Sequence, residues 1–201
     1  MNKVRKEIED CQNLQDSDLW NQFCSGNKKA LKTVYDRCAK ECLIYGYKLC
    51  KDKAIVEDAL QEIFIRFWEK RASLPEVTNI KSYIFTAIRR KIFRKMMYKP
   101  QWKSLDENDS LFENHQFSIN EGVFDHIPER ENLSSDVRRM VSQLSSRQKE
   151  IVYLKYFEGM DYEEIEKIMG INYQSSRNLL SKALKNLRDL MVFIYMISFF
   201  P

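Results

Sequence analysis

The chain has 201 residues, 44% hydrophobic and 12% aromatic, enough apolar material to bury a core and too much for wholesale disorder. Its 33 basic and 29 acidic residues leave a net charge of only +4, so the placement of charge informs more than the sum. Five glycines and four prolines are too few interruptions for a strand-rich fold with many turns, and an all-α chain is expected.

The N-terminal stretch "MNKVRKEIEDCQNL" has no apolar core and does not read as a signal peptide. The five cysteines, Cys11, Cys24, Cys38, Cys42 and Cys50, are odd in number and show no CxxC spacing. Cys38 and Cys42 lie one helical turn apart, but His115 and His126 are remote, so the thiols read as apolar helix-face residues. Free thiols and no export signal lead to the expectation of a cytoplasmic protein.

The first predicted helix is "DSDLWNQFCSG", with Asp16 or Ser17 as its N-cap, apolar Leu19, Trp20 and Phe23, and Gly26 as its stop. A second runs from about Lys28 to Leu49, with Leu31, Val34, Tyr35, Cys38 and Cys42 at three- and four-residue steps. Asp52 caps a third, whose Ile55, Ala59, Leu60, Ile63, Phe64, Phe67 and Trp68 form one apolar stripe. Asn79 caps a fourth, "IKSYIFTAIRRKIFRKMMYK", which ends before Pro100. From Ser104 to Asp136 the chain is acidic, with Arg130 its single arginine, and shows no helical period; it reads as a mobile linker. Beyond it, Ser134 or Ser135 opens a short helix through Val137, Met140, Val141 and Leu144. Ser145 with Gln148 makes a capping box for "RQKEIVYLKYFE", closed by Gly159. Asp161 with Glu164 repeats the device, Gly170 stops that helix, and Asn172 caps the last one, from Tyr173 towards residue 190. The expected architecture is two small helical domains, residues 1–100 and 133–201, joined by an acidic flexible linker at 101–132, with a helix-turn-helix in the second.

Three charged segments carry the functional signal. Between Val77 and Leu105 there is no acidic residue, while Lys81, Arg89, Arg90, Lys91, Arg94, Lys95, Lys99 and Lys103 are basic and Tyr83, Phe85, Phe93, Tyr98 and Trp102 are interleaved. Cations neutralise phosphates and flat rings stack on exposed bases, which suits opened nucleic acid; the alternative is a solvated basic helix with its rings in the core. From Lys167 to Arg188 every charge is positive: Lys167, Arg177, Lys182, Lys185 and Arg188. A helix that follows a tight turn and begins "NYQSSRN" offers Gln, Asn and Arg to base edges in a major groove, where an ordinary helical hairpin would mix both signs. Glu57, Asp58, Gln61 and Glu62 cluster on the first two turns of the third helix. Interaction with the helix dipole and a docking face for a basic protein account for them equally well. No Gly-rich phosphate loop, metal-ligand cluster or Ser/His/Asp set is present, so no catalytic residue, metal, cofactor or small-molecule substrate is expected.

Together these residues resemble the extracytoplasmic-function (ECF) branch of the bacterial RNA polymerase sigma factors, of the sigma-70 superfamily. "VEDALQEIFIRFWEKR" is similar to the family's signature helix, through Asp58, Gln61, Phe64 and Trp68, and "NIKSYIFTAIRR" to the helix after it. "LSSRQKEIVYLKYFEGMDYEEIEKIMGINYQSSRNLLSKALKNLRDL" resembles the C-terminal domain almost throughout. The resemblance implies a non-enzymatic subunit that brings core RNA polymerase to specific promoters. Asp58, Gln61 and Glu62 would dock on the β′ clamp helices, and the β flap would be a further contact on core polymerase. Lys81, Tyr83, Arg89, Arg90, Lys91, Arg94 and Lys95 would hold the opened −10 element. Tyr173, Gln174, Ser175, Arg177, Asn178 and Lys182 would read the −35 duplex. An anti-sigma factor would be the regulatory partner.

The chain departs from the family at Glu166 and Ser176, where a small residue and a branched apolar one are usual at the helix crossing. Glu166 must reach solvent or find a partner, or bond Ser176. Arg90 and Arg94 stand where Asn and an acid are common, which adds positive charge. The terminal "LMVFIYMISFFP" is too short to span a bilayer. Packing on its own domain, binding a partner and touching a membrane surface remain open for it. The alternatives to the sigma reading are a helix-turn-helix repressor or activator acting without polymerase, and a helical adaptor that binds no DNA.

Overall fold

The computed structural model describes residues 14–98, 117 and 141–199, with side chains described as far as 189. All of the regular structure among these residues is helical, and the chain divides into two compact units, Met1–Trp102 and Lys103–Pro201.

The front unit holds α1 (Asp16–Cys24), α2 (Lys28–Leu49), α3 (Lys53–Glu69), a 3-10 turn (Arg71–Ser73) and α4 (Ile80–Met97). Capping decides where the long helices begin. The Asn27 side chain accepts from the amides of Lys29 and Ala30, Asp52 from that of Ile55, and Asn79 from that of Ser82. Each satisfies amides that the first helical turn would otherwise leave open. The start of α1 differs from expectation. Its N-cap is Gln15, which makes no side-chain cap bond. The carboxylate of Asp16 is engaged elsewhere: Oδ2 accepts from the Ile80 amide at 2.8 Å and Oδ1 pairs with Arg37 at 3.3 Å. Asp16 thus caps α4, 64 residues away in sequence, and ties the front of the chain to the basic helix.

The core between these helices is aromatic and aliphatic. Trp20 stacks on Phe23 with centroids 5.0 Å apart and donates its indole N–H to the Pro75 carbonyl at 2.9 Å. Tyr45 stacks on Phe85 at 4.7 Å. The expected stripe of α3 is realised: Ile55, Ala59, Leu60, Ile63, Phe64 and Phe67 are buried, with Trp68 half-buried at its edge. Gly46 lets α2 approach its neighbours closely, because a methyl there would sit 2.5 Å from Val56 Cγ1 and 3.1 Å from Ile92 Cδ1.

The rear unit holds α5 (Ser146–Tyr156), α6 (Tyr162–Met169) and α7 (Tyr173–Phe199). Both capping boxes form as the sequence spells them, Ser145 with Gln148 and Asp161 with Glu164. Ile151, Leu154, Ile165, Ile168, Leu180 and Ala183 fill the space between the three helices. Phe117, which the sequence places in a mobile linker, is 2% exposed; its amide donates to Ser146 Oγ at 3.2 Å and its ring lies 5.8 Å from that of Tyr153. At that residue the segment is anchored to the rear unit. The remainder of the expected linker, the start of the short helix before Val141, and Cys11, Lys99, Trp102 and Lys103 lie outside the described residues, as do the side chains from Leu190 to Pro201.

Candidate polymerase and nucleic-acid interfaces

Asp58, Gln61 and Glu62 are all exposed, and their three- and four-residue spacing puts them on one face of α3. That face is not free of partners. Glu62 bonds Lys91 and also Lys95, the latter at 2.6 Å, and Asp58 lies 3.7 Å from the Lys95 ammonium. Hydrogen bonds from Lys91 and Lys95 lower the Glu62 carboxyl from 4.5 to about 2. Two expected interfaces, the acidic one on α3 and the basic one on α4, therefore meet in a single ion-pair network.

The basic helix separates into three groups. Arg89 is 2% exposed, its guanidinium 4.8 Å from the centre of the Phe93 ring, so it belongs to the interior. Lys91 and Lys95 are half-buried and bound to the acids of α3, while Lys81 lies 5.7 Å over Phe85. Arg90 and Arg94, one turn apart, are exposed. The aromatic interleaving also resolves towards the core. Phe85 and Phe93 are buried, and Tyr83 packs against Trp20 and Phe67 at 5.3 Å from each. Burial raises the Tyr83 hydroxyl above its ordinary pKa. Tyr98, 76% exposed at the end of α4, is among the described residues the ring of this segment most open to solvent. The physical reason is register: residues 85, 88, 89, 92, 93 and 96 share the face that meets α2 and α3, and the long stem of Arg89 lies along it.

A residue that charge counting passed over joins this surface. Arg66 of α3, exposed, lines a cleft of about 250 Å³ together with Glu62, Ile63 and Phe67 of its own helix and Ala87, Arg90, Lys91 and Arg94 of α4. In the sequence it is a lone Arg within "FIRFWEKR", indistinguishable from a solvated helix-face cation.

In the rear unit α6, the turn and α7 form a helix-turn-helix. Gly170 closes α6 in the left-handed region at φ 66°, its amide bonded to the Glu166 carbonyl. A side chain is unfavourable in that conformation. Asn172 then starts α7, accepting from the Ser175 amide at 2.8 Å. Tyr173, Gln174, Ser175, Arg177, Asn178 and Lys182 are all exposed on α7. Gln174 donates to Asn178 at 3.1 Å, Arg177 lies 5.9 Å over Tyr173, and Tyr173 meets Tyr162 edge-on at 5.6 Å. The polar face is thus pre-ordered by neighbours one turn apart. The inner face is Ser176, Leu180 and Ala183. Ser176 is fully buried, yet its hydroxyl is satisfied by the Tyr173 carbonyl at 2.7 Å. It acts as a small residue at the crossing, and its partner is not Glu166. Glu166 is half-exposed, so of the routes open to it the carboxylate takes solvent.

Among the described residues there is no cluster of three His, Cys, Asp or Glu that could hold a metal ion. Cys24, Cys38, Cys42 and Cys50 are in no disulfide, and burial, ahead of the nearby Asp16 and Glu41 charges, pushes Cys38 up to about 12. Such thiols pack as apolar groups. No helix among the described residues is long and apolar enough to cross a membrane.

Comparison with known proteins agrees with this arrangement. Residues 34–99 match the family model of sigma-70 region 2, and residues 134–187 that of sigma-70 region 4. The chain is 21% identical over 177 residues to the ECF RNA polymerase sigma factor SigK of Mycobacterium sp. (strain JLS), covering 85% of this chain and 88% of that protein. It is 24% identical over 178 residues to the RNA polymerase sigma factor SigZ of Bacillus subtilis (strain 168), covering 87% and 85%. Its fold is similar to that of the sigma factor RpoE of Bartonella quintana, solved in complex with the anti-sigma factor NepR, with a TM-score of 0.54 and 21% identity over 82% of this chain and 95% of that one. CnrH, solved in complex with the cytosolic domain of CnrY, gives a TM-score of 0.58 at 15% identity over 89% and 97%. With region 2 and region 4 following one another on two helical units, the chain belongs to the sigma-70 family, in its extracytoplasmic-function branch of transcription initiation factors.

Proposed function

We propose that this chain acts as the promoter-specificity subunit of RNA polymerase in the cytoplasm, with the polymerase supplying the catalysis and this chain the address. The observation that carries the residue-level reading is the segregation of charge: an exposed acidic face on α3, and on α7 an exposed polar face with no acidic residue in the sequence from Tyr173 to Arg188. Asp58, Gln61 and Glu62 dock on the β′ clamp helices. Arg90 and Arg94, with Lys91 and Lys95 once released from Glu62, hold the opened −10 strand through its phosphates. On α7, Gln174, Arg177 and Asn178 read base edges of the −35 duplex, and Ser175 and Lys182 bond its backbone. Arg89 supports the helix from inside and does not itself touch DNA. The acidic segment between the units follows a path that RNA otherwise occupies, and the β flap receives the rear unit. An anti-sigma protein holds the chain silent, a partner of the kind with which the similar sigma factor RpoE was solved.

The deciding experiment mixes the full chain with core RNA polymerase. A stable complex that is lost on joint charge reversal at Asp58 and Glu62, and that supports promoter-dependent transcription, is expected. Binding to a palindromic duplex with no affinity for the polymerase would overturn the reading in favour of a repressor.

A further inference from the structure

The cations around the α3–α4 junction fall into two electrostatic classes. Lys91 and Lys95 are held by Glu62 and Asp58. Arg66, Arg90 and Arg94 make no ion pair among the described residues and line one cleft of about 250 Å³, whose wall also carries Glu62 and Lys91, paired with each other. Three guanidiniums gathered on one concavity repel one another, and an arrangement of that kind is favourable when an anion neutralises it. The planar fork of each guanidinium matches the geometry of a phosphate diester. The floor is apolar, made of Ile63, Phe67 and Ala87, and suits a deoxyribose ring better than a free inorganic ion.

We infer that Arg66, on the helix otherwise given over to polymerase docking, joins Arg90 and Arg94 in a phosphate-binding cleft that takes the sugar–phosphate backbone of the opened strand. The inference rests on the proposed reading of α4 as a nucleic-acid surface and extends it across the junction to α3. The boundary between the two functions then falls at Glu62 of α3, which belongs to the acidic face and also borders the cleft beside Lys91; one turn later Arg66 faces DNA.

The test uses holoenzyme reconstituted from the full chain and core polymerase, with core polymerase alone as blank. A fluorescein-labelled duplex carrying a premelted bubble is titrated at several salt concentrations. Arg66→Ala is expected to assemble with core polymerase as the unaltered chain does. It should weaken bubble binding about three- to tenfold and reduce the salt slope by about 0.7, the share of one single-strand phosphate contact. Arg90→Ala and Arg94→Ala should behave alike, and Arg66→Lys should keep most of the slope. Lys32→Ala removes the same charge from an exposed position already paired with Asp36 and should change nothing. If Arg66→Ala binds normally while Arg90→Ala and Arg94→Ala do not, the shared cleft is overturned and the nucleic-acid role of α4 stands. If none of the three matters, both fall. Failed assembly of Arg66→Ala would put Arg66 on the docking face, and an equal loss in Lys32→Ala would reduce the effect to bulk charge; each overturns the inference.

Discussion

Gly46→Ala sets two opposed effects against each other within one helix. Replacing a mid-helix glycine by alanine removes backbone freedom from the unfolded chain and favours the helix by about 1 kcal/mol. Against that, the new methyl would stand 2.5 Å from Val56 Cγ1 and 3.1 Å from Ile92 Cδ1. The first separation is roughly 1 Å inside comfortable carbon–carbon contact. Val56 and Ile92 are fully buried on two different helices, and a valine in a helix has one strongly preferred rotamer, so neither moves aside cheaply. Overpacking of this kind costs about 1–3 kcal/mol, and two blocked neighbours put it in the upper half of that range. The net expectation is a loss of about 1–2 kcal/mol. Trp20 is buried and Trp68 half-buried in the front unit, and no tryptophan occurs from residue 103 onward, so fluorescence in urea follows the front unit. With a slope of about 1.5 kcal/mol/M the midpoint should fall by roughly 1 M. Adding Val56→Ala should then cost less in the Gly46→Ala background than alone. An unchanged or raised midpoint in Gly46→Ala would refute the close-approach reasoning.

Other expectations follow from the same geometry. Arg89→Ala should lower the stability of the front unit by about 1–2 kcal/mol, whereas Arg90→Ala and Arg94→Ala should leave the unfolding free energy within about 0.5 kcal/mol of wild type, since the first side chain is interior and the others are exposed. Glu62→Gln should weaken association with core polymerase while strengthening binding of the free chain to DNA at low salt, because Lys91 and Lys95 lose their carboxylate; gel shift and core titration read the two separately. The Glu62 carboxyl is lowered in the folded state, so its contribution is present above pH 4.5 and is lost as pH falls towards about 2. With the Glu62 side chain 46% exposed, that contribution is about 0.5–1 kcal/mol, and the corresponding slope in acid should be absent from Glu62→Gln. Gly170→Ala should cost about 1 kcal/mol from φ alone, since no atom lies within 4 Å of the added methyl, and should loosen the turn enough to weaken −35 duplex binding.

Much of the molecule follows from local chemistry and is legible along the chain. Helix starts at Asp52, Asn79, Ser145, Asp161 and Asn172 depend on a side chain reaching an amide a few residues on, and the left-handed stop at Gly170 depends on a missing Cβ; such signals involve neighbours in sequence. Apolar spacing likewise identified the buried face of α3, and the run of like charge on α7 marked an exposed polar face. Where a side chain's partner lies far away in sequence, the chain alone was silent or misleading. Asp16 looks like a local cap and instead caps α4, and Phe117 looks like linker and instead packs on α5. Arg89 and Arg90 are adjacent letters of one basic run, but only helix packing sends the first inward and leaves the second in solvent. Packing too joined Glu62 to Lys91 and Lys95 and placed Arg66 across a cleft from Arg90 and Arg94. Sequence patterns determined which helices exist and what charge each carries. The crossing of α3 and α4 decided which of those charges neutralise one another and which remain for a partner, because Coulomb energy depends on distances that only the folded chain sets.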